Sequence, residues 1–206
     1  MNKNIMTFDS WAILNKDEGM EKGHHAPVKH MLKLIFEYYQ KNNQKYSAID
    51  IGCGNGWVVR KFNNHSLCTM AHGIDGAENM IKKAKDANPD GLYFNEDITK
   101  WDSKYQYDIV FSMETLYYFK NPIEIINKIY DNVLKENGMF VMGIDHYSEN
   151  TESLDWGKKF NLDITTLSIE NWVSLFENSG FQNVTYKQVE SKKDWKGTLI
   201  ITGYKK

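Results

Sequence analysis

The 206-residue sequence predicts a doubly wound α/β fold, a mostly parallel seven-stranded sheet that finishes in a C-terminal antiparallel hairpin. Three observations carry that expectation. From about residue 46 onward, short β-rich runs alternate with segments of helical period. A glycine-rich turn joins the first such run to its helix. The last two β-rich runs follow one another with only a polar stretch between them.

After a polar start, Pro27 suits the first turn of a capping helix whose Met31, Leu34, Ile35 and Tyr38 recur at helical spacing, before the polar stretch Gln40 to Lys45. Ala48, Ile49 and Ile51 form a short, nearly all-apolar strand, and Trp57, Val58, Val59 and Phe62 follow the glycine turn as a helix. Leu67 to Ile74 reads as a strand, Ala77 to Ala87 as a helix, Leu92 to Phe94 as a strand with a turn at Asn95 to Asp97, and Tyr107 to Met113 as the next strand. Asn121, Pro122 and Glu124 have the spacing of a capping box with proline at the first helical position. Ile126, Ile129, Tyr130, Val133 and Leu134 then supply an apolar stripe that predicts a helix ending before Gly138. Met139 to Ile144 is a strand. The polar, aromatic-dotted segment Asp145 to Thr166 breaks the alternation and reads as a lid, and Ser168 caps a helix that stops at Gly180. Val184 to Val189 and Thr198 to Tyr204 complete the sheet as the hairpin.

The 25 basic and 27 acidic side chains give a formal charge of -2, so no global positive field draws in nucleic acid or an anionic membrane. Only Cys53 and Cys68 are present, too few for a disulfide framework, and the start of the chain lacks the apolar run of a secretory signal. No segment approaches the ~20 apolar residues of a membrane span. The expectation is a soluble, cytoplasmic protein.

The loop Asp50-Ile51-Gly52-Cys53-Gly54-Asn55-Gly56 lies between the first strand and its helix, where glycine lets a ligand approach the backbone closely. A dinucleotide-binding loop is the competing reading. That pattern needs a small residue at its third glycine position to pack helix on strand, and here the position is the bulky Trp57, which argues against a nicotinamide cofactor.

AIDIGCGNG resembles the first motif of class I S-adenosylmethionine (SAM)-dependent methyltransferases; HGIDGAENM resembles the second, YFNEDITKW the third and YDIVFSMETLYYF the fourth. The likeness runs from about Tyr46 through LKENGMFVMGI and LSIENWVSLFENSGFQNV to the final hairpin, and is closest to the small-molecule branch. It implies a Rossmann-like domain over residues 46–206, preceded by an N-terminal cap or lid segment and helix over residues 1–45. It also implies that Gly52, Cys53, Gly54, Asn55 and Gly56 shape the loop around the methionine part of SAM, with Asp50 ordering that loop or reaching the amino group. Asp75 would accept both ribose hydroxyls in charge-assisted hydrogen bonds. Gly76, Met80, Asp97 and Ile98 would surround the adenine, and Met113 would line the methionine side. Asp108 is a motif residue expected to serve structure, and both cysteines are expected to be inert, Cys53 as a space filler and Cys68 as a buried strand residue.

Methyl transfer from a sulfonium is an in-line displacement in which the protein chiefly orients and excludes water, so a base is not obligatory. The resemblance implies an acceptor above the carboxyl edge of the sheet. It would lie near Glu114, Tyr117 and Tyr118 after the fourth strand and near Asp145, His146 and Tyr147 after the fifth, with Trp156 from the lid. The stretch GMEKGHHAP offers Glu21, Lys22, His24 and His25 as part of a cover. Candidate catalytic groups are therefore His24, His25, Glu114 and His146; candidate acceptor contacts are Glu21, Tyr117, Tyr118, Tyr147 and Trp156. No metal is predicted, because His24, His25 and Glu21 find no further ligands at a recognisable spacing. The leading expectation is methylation of a small molecule at O, N or S, yielding S-adenosylhomocysteine. SMET stands where nucleic-acid amino methyltransferases carry an Asn-Pro-Pro-Tyr type motif. Protein or RNA methylation and a non-catalytic SAM-binding regulator are the alternatives, and nothing in the sequence fixes the oligomeric state.

Overall fold

The computed structural model describes residues 2–206. Seven strands form one mostly parallel sheet in the order β3-β2-β1-β4-β5-β7-β6, with antiparallel strands only at its C-terminal end, as the sequence predicts. In chain order the strands are β1 (Tyr46–Ile51), β2 (Cys68–Asp75), β3 (Leu92–Asn95), β4 (Tyr107–Met113), β5 (Leu134–Ile144), β6 (Gln182–Val189) and β7 (Thr198–Tyr204). The chain divides into two compact units, the first ending at Asp102 and the second spanning Ser103–Lys206.

The first unit begins differently from the sequence reading. The polar start is a helix, α1 (Lys3–Ile13), capped by Asn2, whose Oδ1 accepts the Asn4 N–H at 2.9 Å. The following helix, α2 (Asp17–Lys41), starts ten residues before Pro27, which lies inside it. Pro27 has no N–H for the Gly23 carbonyl four residues back, so the helix runs through it with one ladder bond missing. Val28, Met31, Leu32, Ile35 and Tyr39 form its buried stripe, and the Tyr39 ring meets Tyr46 at the start of β1 at 4.5 Å. β1 and β2 pair in parallel, Ile49 opposite His72 and Ile51 opposite Ile74; β2 and β3 pair likewise. The helices α3 (Trp57–Asn63) and α4 (Glu78–Ala87) pack Val59, Phe62 and Ile81 against these strands.

In the second unit, β4 and β5 run parallel while β7 runs antiparallel to both β5 and β6. The predicted long helix is shorter than its apolar stripe. The helix α5 (Pro122–Lys128) passes into a π-helical turn over Ile129–Val133, and β5 already begins at Leu134. Asn121 gives α5 no capping bond to the backbone; its amide donates to Glu124 Oε1 at 3.0 Å instead. The segment 145–166 contains a 3-10 turn at Thr151–Ser153 and a short helix, α6 (Trp156–Phe160), and α7 (Ile169–Asn178) is capped by Ser168, which accepts the Asn171 N–H. Phe140 of β5 stacks on Phe176 of α7 at 4.9 Å, and Trp172 completes that core. Asp108 pairs with Lys135 at 3.0 Å, the structural role expected of it. Among the described residues, no helix is long and apolar enough to cross a membrane.

Candidate active site

The glycine loop of the first unit owes its shape to three left-handed residues, Gly52, Gly54 and Gly56, at φ 75°, 51° and 74°. At Gly56 the demand is also steric, since a Cβ would stand 2.6 Å from the Tyr93 ring. Cys53 is buried against Gly73, and its Sγ would lie 2.7 Å from a Cβ there. Burial pushes its thiol well above the ordinary range, which fits a space filler. Cys68 is only half-buried, not buried as expected, and burial still raises its thiol to about 11.

Asp75 ends β2 and holds the loop in place. Its Oδ2 accepts the Gly54 N–H at 2.9 Å and its Oδ1 the Ala77 N–H at 2.8 Å. A carboxylate has about four lone-pair sites, so capacity remains for two hydroxyl donors. This and the side-chain-free cradle of the three glycines fit the adenosyl and methionyl parts of SAM. Burial raises Asp75 and, more strongly, Asp50, whose carboxyl is fully enclosed near Asp75. Asp97 spends Oδ1 on its own turn, accepting the Thr99 N–H and hydroxyl at 3.0 and 2.8 Å; Ile98 is buried beside it.

The N-terminal helices reach this motif region through residues that the sequence reading passed over. Gly76 is roofed by α1: a Cβ on it would stand 2.5 Å from Ile5 Cδ1. Ala12 and Phe8 pack on Ala77 and Met80. Met80 is thus buried beneath α1, with its sulfur 3.9 Å from the place of a Gly54 Cβ. At the start of α4, Ala77 has no capping side chain, and Asp9 of α1 supplies one, accepting the Asn79 N–H at 2.7 Å and its amide at 2.8 Å. Asp17 accepts from Lys83 at 2.6 Å and from the Asn55 amide at 3.0 Å, and Glu21 from the same amide at 3.5 Å. Asn55 also accepts the Trp57 N–H, and its carbonyl takes Arg60 at 2.7 Å, so its polar groups fasten the loop. The candidates His24 and His25 lie within α2, not in a segment before it; His24 is half-buried, and His25 is exposed with its ring stacked on Trp57 at 6.2 Å.

In the second unit, Met113 ends β4 and Glu114 follows in a left-handed conformation at φ 57°. Glu114 Oε2 accepts the Tyr117 hydroxyl at 2.6 Å, Oε1 accepts the Asp145 N–H just past β5, and the Tyr117 and Tyr118 hydroxyls share a hydrogen bond of 2.9 Å. Asp145 in turn accepts the Thr198 hydroxyl. Burial, then the neighbouring Asp145, pushes the Glu114 carboxyl well above its usual range, and burial raises both phenols.

Two candidates in this unit have other work. His146 is buried, donating from Nδ1 to the Ser153 carbonyl at 3.0 Å and accepting the Thr166 hydroxyl at Nε2 at 2.7 Å, and burial lowers its pKa. The lone pair of a general base is therefore already engaged, and His146 ties the segment 145–166 together. Tyr147 is also buried, donating to the Gly197 carbonyl and accepting from Gln188, which makes it a fastener of the hairpin rather than an acceptor contact. Trp156 is half-buried, 6.3 Å from His146 and stacked on Trp195 at 6.0 Å.

A methyltransferase-domain family model matches residues 23–186. Malonyl-[acyl-carrier protein] O-methyltransferase 2 of Ilyobacter polytropus is 24% identical over 94% of this chain and 70% of its own length. Trans-aconitate 2-methyltransferase of Escherichia coli is 27% identical over 54% of this chain, which spans 44% of it. Among solved structures, a chain from the complex between the Haloferax volcanii Trm112 methyltransferase activator and a methyltransferase superposes with a TM-score of 0.79 at 24% identity, over 96% of each chain. The N-methyltransferase NodS of Bradyrhizobium japonicum, bound to S-adenosylhomocysteine, superposes with a TM-score of 0.65 at 16% identity, over 87% of this chain and 86% of its own. With the family model spanning most of its length, the chain belongs to the class I SAM-dependent methyltransferases, takes SAM as its cofactor and transfers its methyl group.

Proposed function

We propose that the methyl acceptor is a small molecule. The observation that supports this is the hydrogen-bonded set of half-buried Glu114 with buried Tyr117 and Asp145, at the start of a segment 145–166 that is pinned to it. His146, Asn150 and Thr165 pin that segment, with Thr165 N–H donating to the Tyr117 carbonyl at 2.8 Å and Asn150 to the Asp145 carbonyl at 2.7 Å. Polar groups this deep suit an acceptor that can be enclosed, because excluding water strengthens every electrostatic contact with it.

For the cofactor, the reading assigns Asp50, Gly52, Gly54 and Gly56 to its methionyl end together with Met113, Asp75 to the ribose, and Gly76, Asp97 and Ile98 to the adenine. Met80 and Asn55 then act from behind the loop, and His24 is the histidine kept as a candidate for gripping the cofactor carboxylate. Residues 1–45 act as the cap of the cofactor-binding unit, through Ile5, Asp9 and Asp17. SAM supplies an electrophilic methyl; the chain's own residues orient it and keep water out. The test is a metabolite screen for S-adenosylhomocysteine formation, run beside bulk RNA and protein acceptors. Turnover of RNA or protein alone would reject the small-molecule reading.

A second reading has one observation behind it, the likeness to a chain from a complex with a Trm112 activator. On that reading this chain acts on a macromolecule together with a small activator subunit. Activity that appears only when such a subunit is added would favour it.

A further inference from the structure

The acceptor-side residues of the second unit have a chemical character that the small-molecule reading leaves unspecified. Two carboxyl groups, Glu114 and Asp145, lie next to one another at the ends of parallel neighbouring strands, joined through the Asp145 N–H. Independently of them, aromatic rings form a continuous run. Tyr118 meets Tyr117 at 4.3 Å, Tyr117 meets His146 at 5.4 Å, His146 meets Trp156 at 6.3 Å, and Trp156 meets Trp195 at 6.0 Å. Tyr118, Trp156 and Trp195 are the half-buried members of that run, the ones with surface left to offer. Carboxylates beside aromatic faces are the chemistry that holds an ammonium group. A carboxylate ligand calls instead for a cationic side chain, and bidentate recognition of it for the planar fork of arginine. The chain has a single arginine, Arg60, and it is engaged with the Asn55 carbonyl in the glycine loop.

Resting on the small-molecule reading, we propose that the acceptor is an amine, held against the Tyr118 and Trp156 rings and relieved of its proton through the Tyr118 and Tyr117 hydroxyls to Glu114. The hydroxyl pair connects Tyr118 with the Glu114 carboxylate at 2.9 and 2.6 Å, a continuous hydrogen-bonded path. The ammonium gives a proton to the Tyr118 oxygen as the Tyr118 proton passes to Tyr117 and the Tyr117 proton to Glu114. The freed nitrogen lone pair then forms the N–C bond to the methyl carbon while the C–S bond breaks and the sulfur keeps the electron pair. The products are the methylated ammonium and a neutral thioether, and Glu114 returns its proton to solvent by the reverse path. A bound cation favours the ionised form of a buried carboxyl, so docking the ammonium prepares Glu114 to accept.

The test combines product identity with binding. Panels of small amines and small carboxylic acids are incubated with SAM and the intact protein, and the products are identified by mass spectrometry; binding of benzyltrimethylammonium to the S-adenosylhomocysteine-loaded protein is measured by calorimetry. The expected result is N-methylated product and no methyl ester. Benzyltrimethylammonium affinity should fall about tenfold in both Glu114→Gln and Trp156→Leu, with S-adenosylhomocysteine affinity unchanged. Tyr118→Phe, which keeps the ring and removes the relay, should retain that affinity and lose turnover. Methyl ester formation, or unchanged ammonium affinity in both Glu114→Gln and Trp156→Leu, would overturn the inference. Were RNA or protein the only acceptor, the small-molecule reading would fall, and the atom that carries the new methyl would decide the amine inference separately: nitrogen upholds it, oxygen refutes it.

Discussion

Asp75 works for the fold besides the ribose role proposed for it, because its two oxygens already take the Gly54 and Ala77 N–H groups. Asp75→Ala should therefore weaken S-adenosylhomocysteine binding by about 1.5–3 kcal/mol and also lower the thermal midpoint, since it strands two backbone donors. Calorimetry and a melt on the same variant check both parts. At Glu114 the folded pKa lies above the unfolded value of ~4, so the native state keeps a proton that the unfolded chain has released. Stability should accordingly fall as pH rises from about 4 through the raised folded value, and Glu114→Gln should flatten that slope in melts taken across the range. The motif residues were legible because each lies at a fixed place in a strand-turn-helix unit. Asp9 and Asp17 were not, because an acid that caps another helix has the same local sequence as any surface acid. His146 read as a base for a related reason: its identity announces titration, and only the Ser153 carbonyl and Thr166 hydroxyl show that both nitrogens are engaged.

Among the elements, α1 meets α4 through the Asp9 cap and a small apolar patch, so loosening that cap leaves the sheet untouched. Asp9→Ala should cost about 1 kcal/mol, the usual worth of an N-cap, and should speed amide exchange in α1 and at Asn79 while β1 stays protected; hydrogen exchange by mass spectrometry reads all three. The strands and α3, α4 and α7 were legible from period and turn chemistry. The errors fell where local rules conflict with packing. Ile5, Phe8 and Ala12 follow the i, i+3, i+7 spacing of a helix face after Asn2, but the stripe is too narrow to stand out from its polar flanks. Pro27 read as a helix start because proline there is the usual signal, whereas the helix already runs from Asp17 and gives up one ladder bond at Pro27. The apolar stripe through Leu134 predicted one long helix; the π-helical turn changes the period at Ile129 and hands Leu134 to the sheet, opposite Tyr107.

For the whole molecule, a ligand that binds only the native state stabilises it by mass action, so S-adenosylhomocysteine at about 100 times its Kd should add roughly 2.7 kcal/mol. A thermal shift with S-adenosylhomocysteine and none with NAD is the expected outcome, and the reverse would contradict the cofactor assignment. The clasp between Asp9 and Asn79 spans 70 residues of chain. During synthesis at about 5–20 residues per second, α1 is finished roughly 4–14 s before the helix that receives it. Through that interval Ile5, Phe8 and Ala12 have nothing to cover, and closing so long a loop is favourable only once the Ala77 and Met80 surface exists. The helix α1 therefore settles only once α4 exists, and a nascent chain halted before Asn79 carries an uncovered apolar stripe, available to chaperones and to other chains alike.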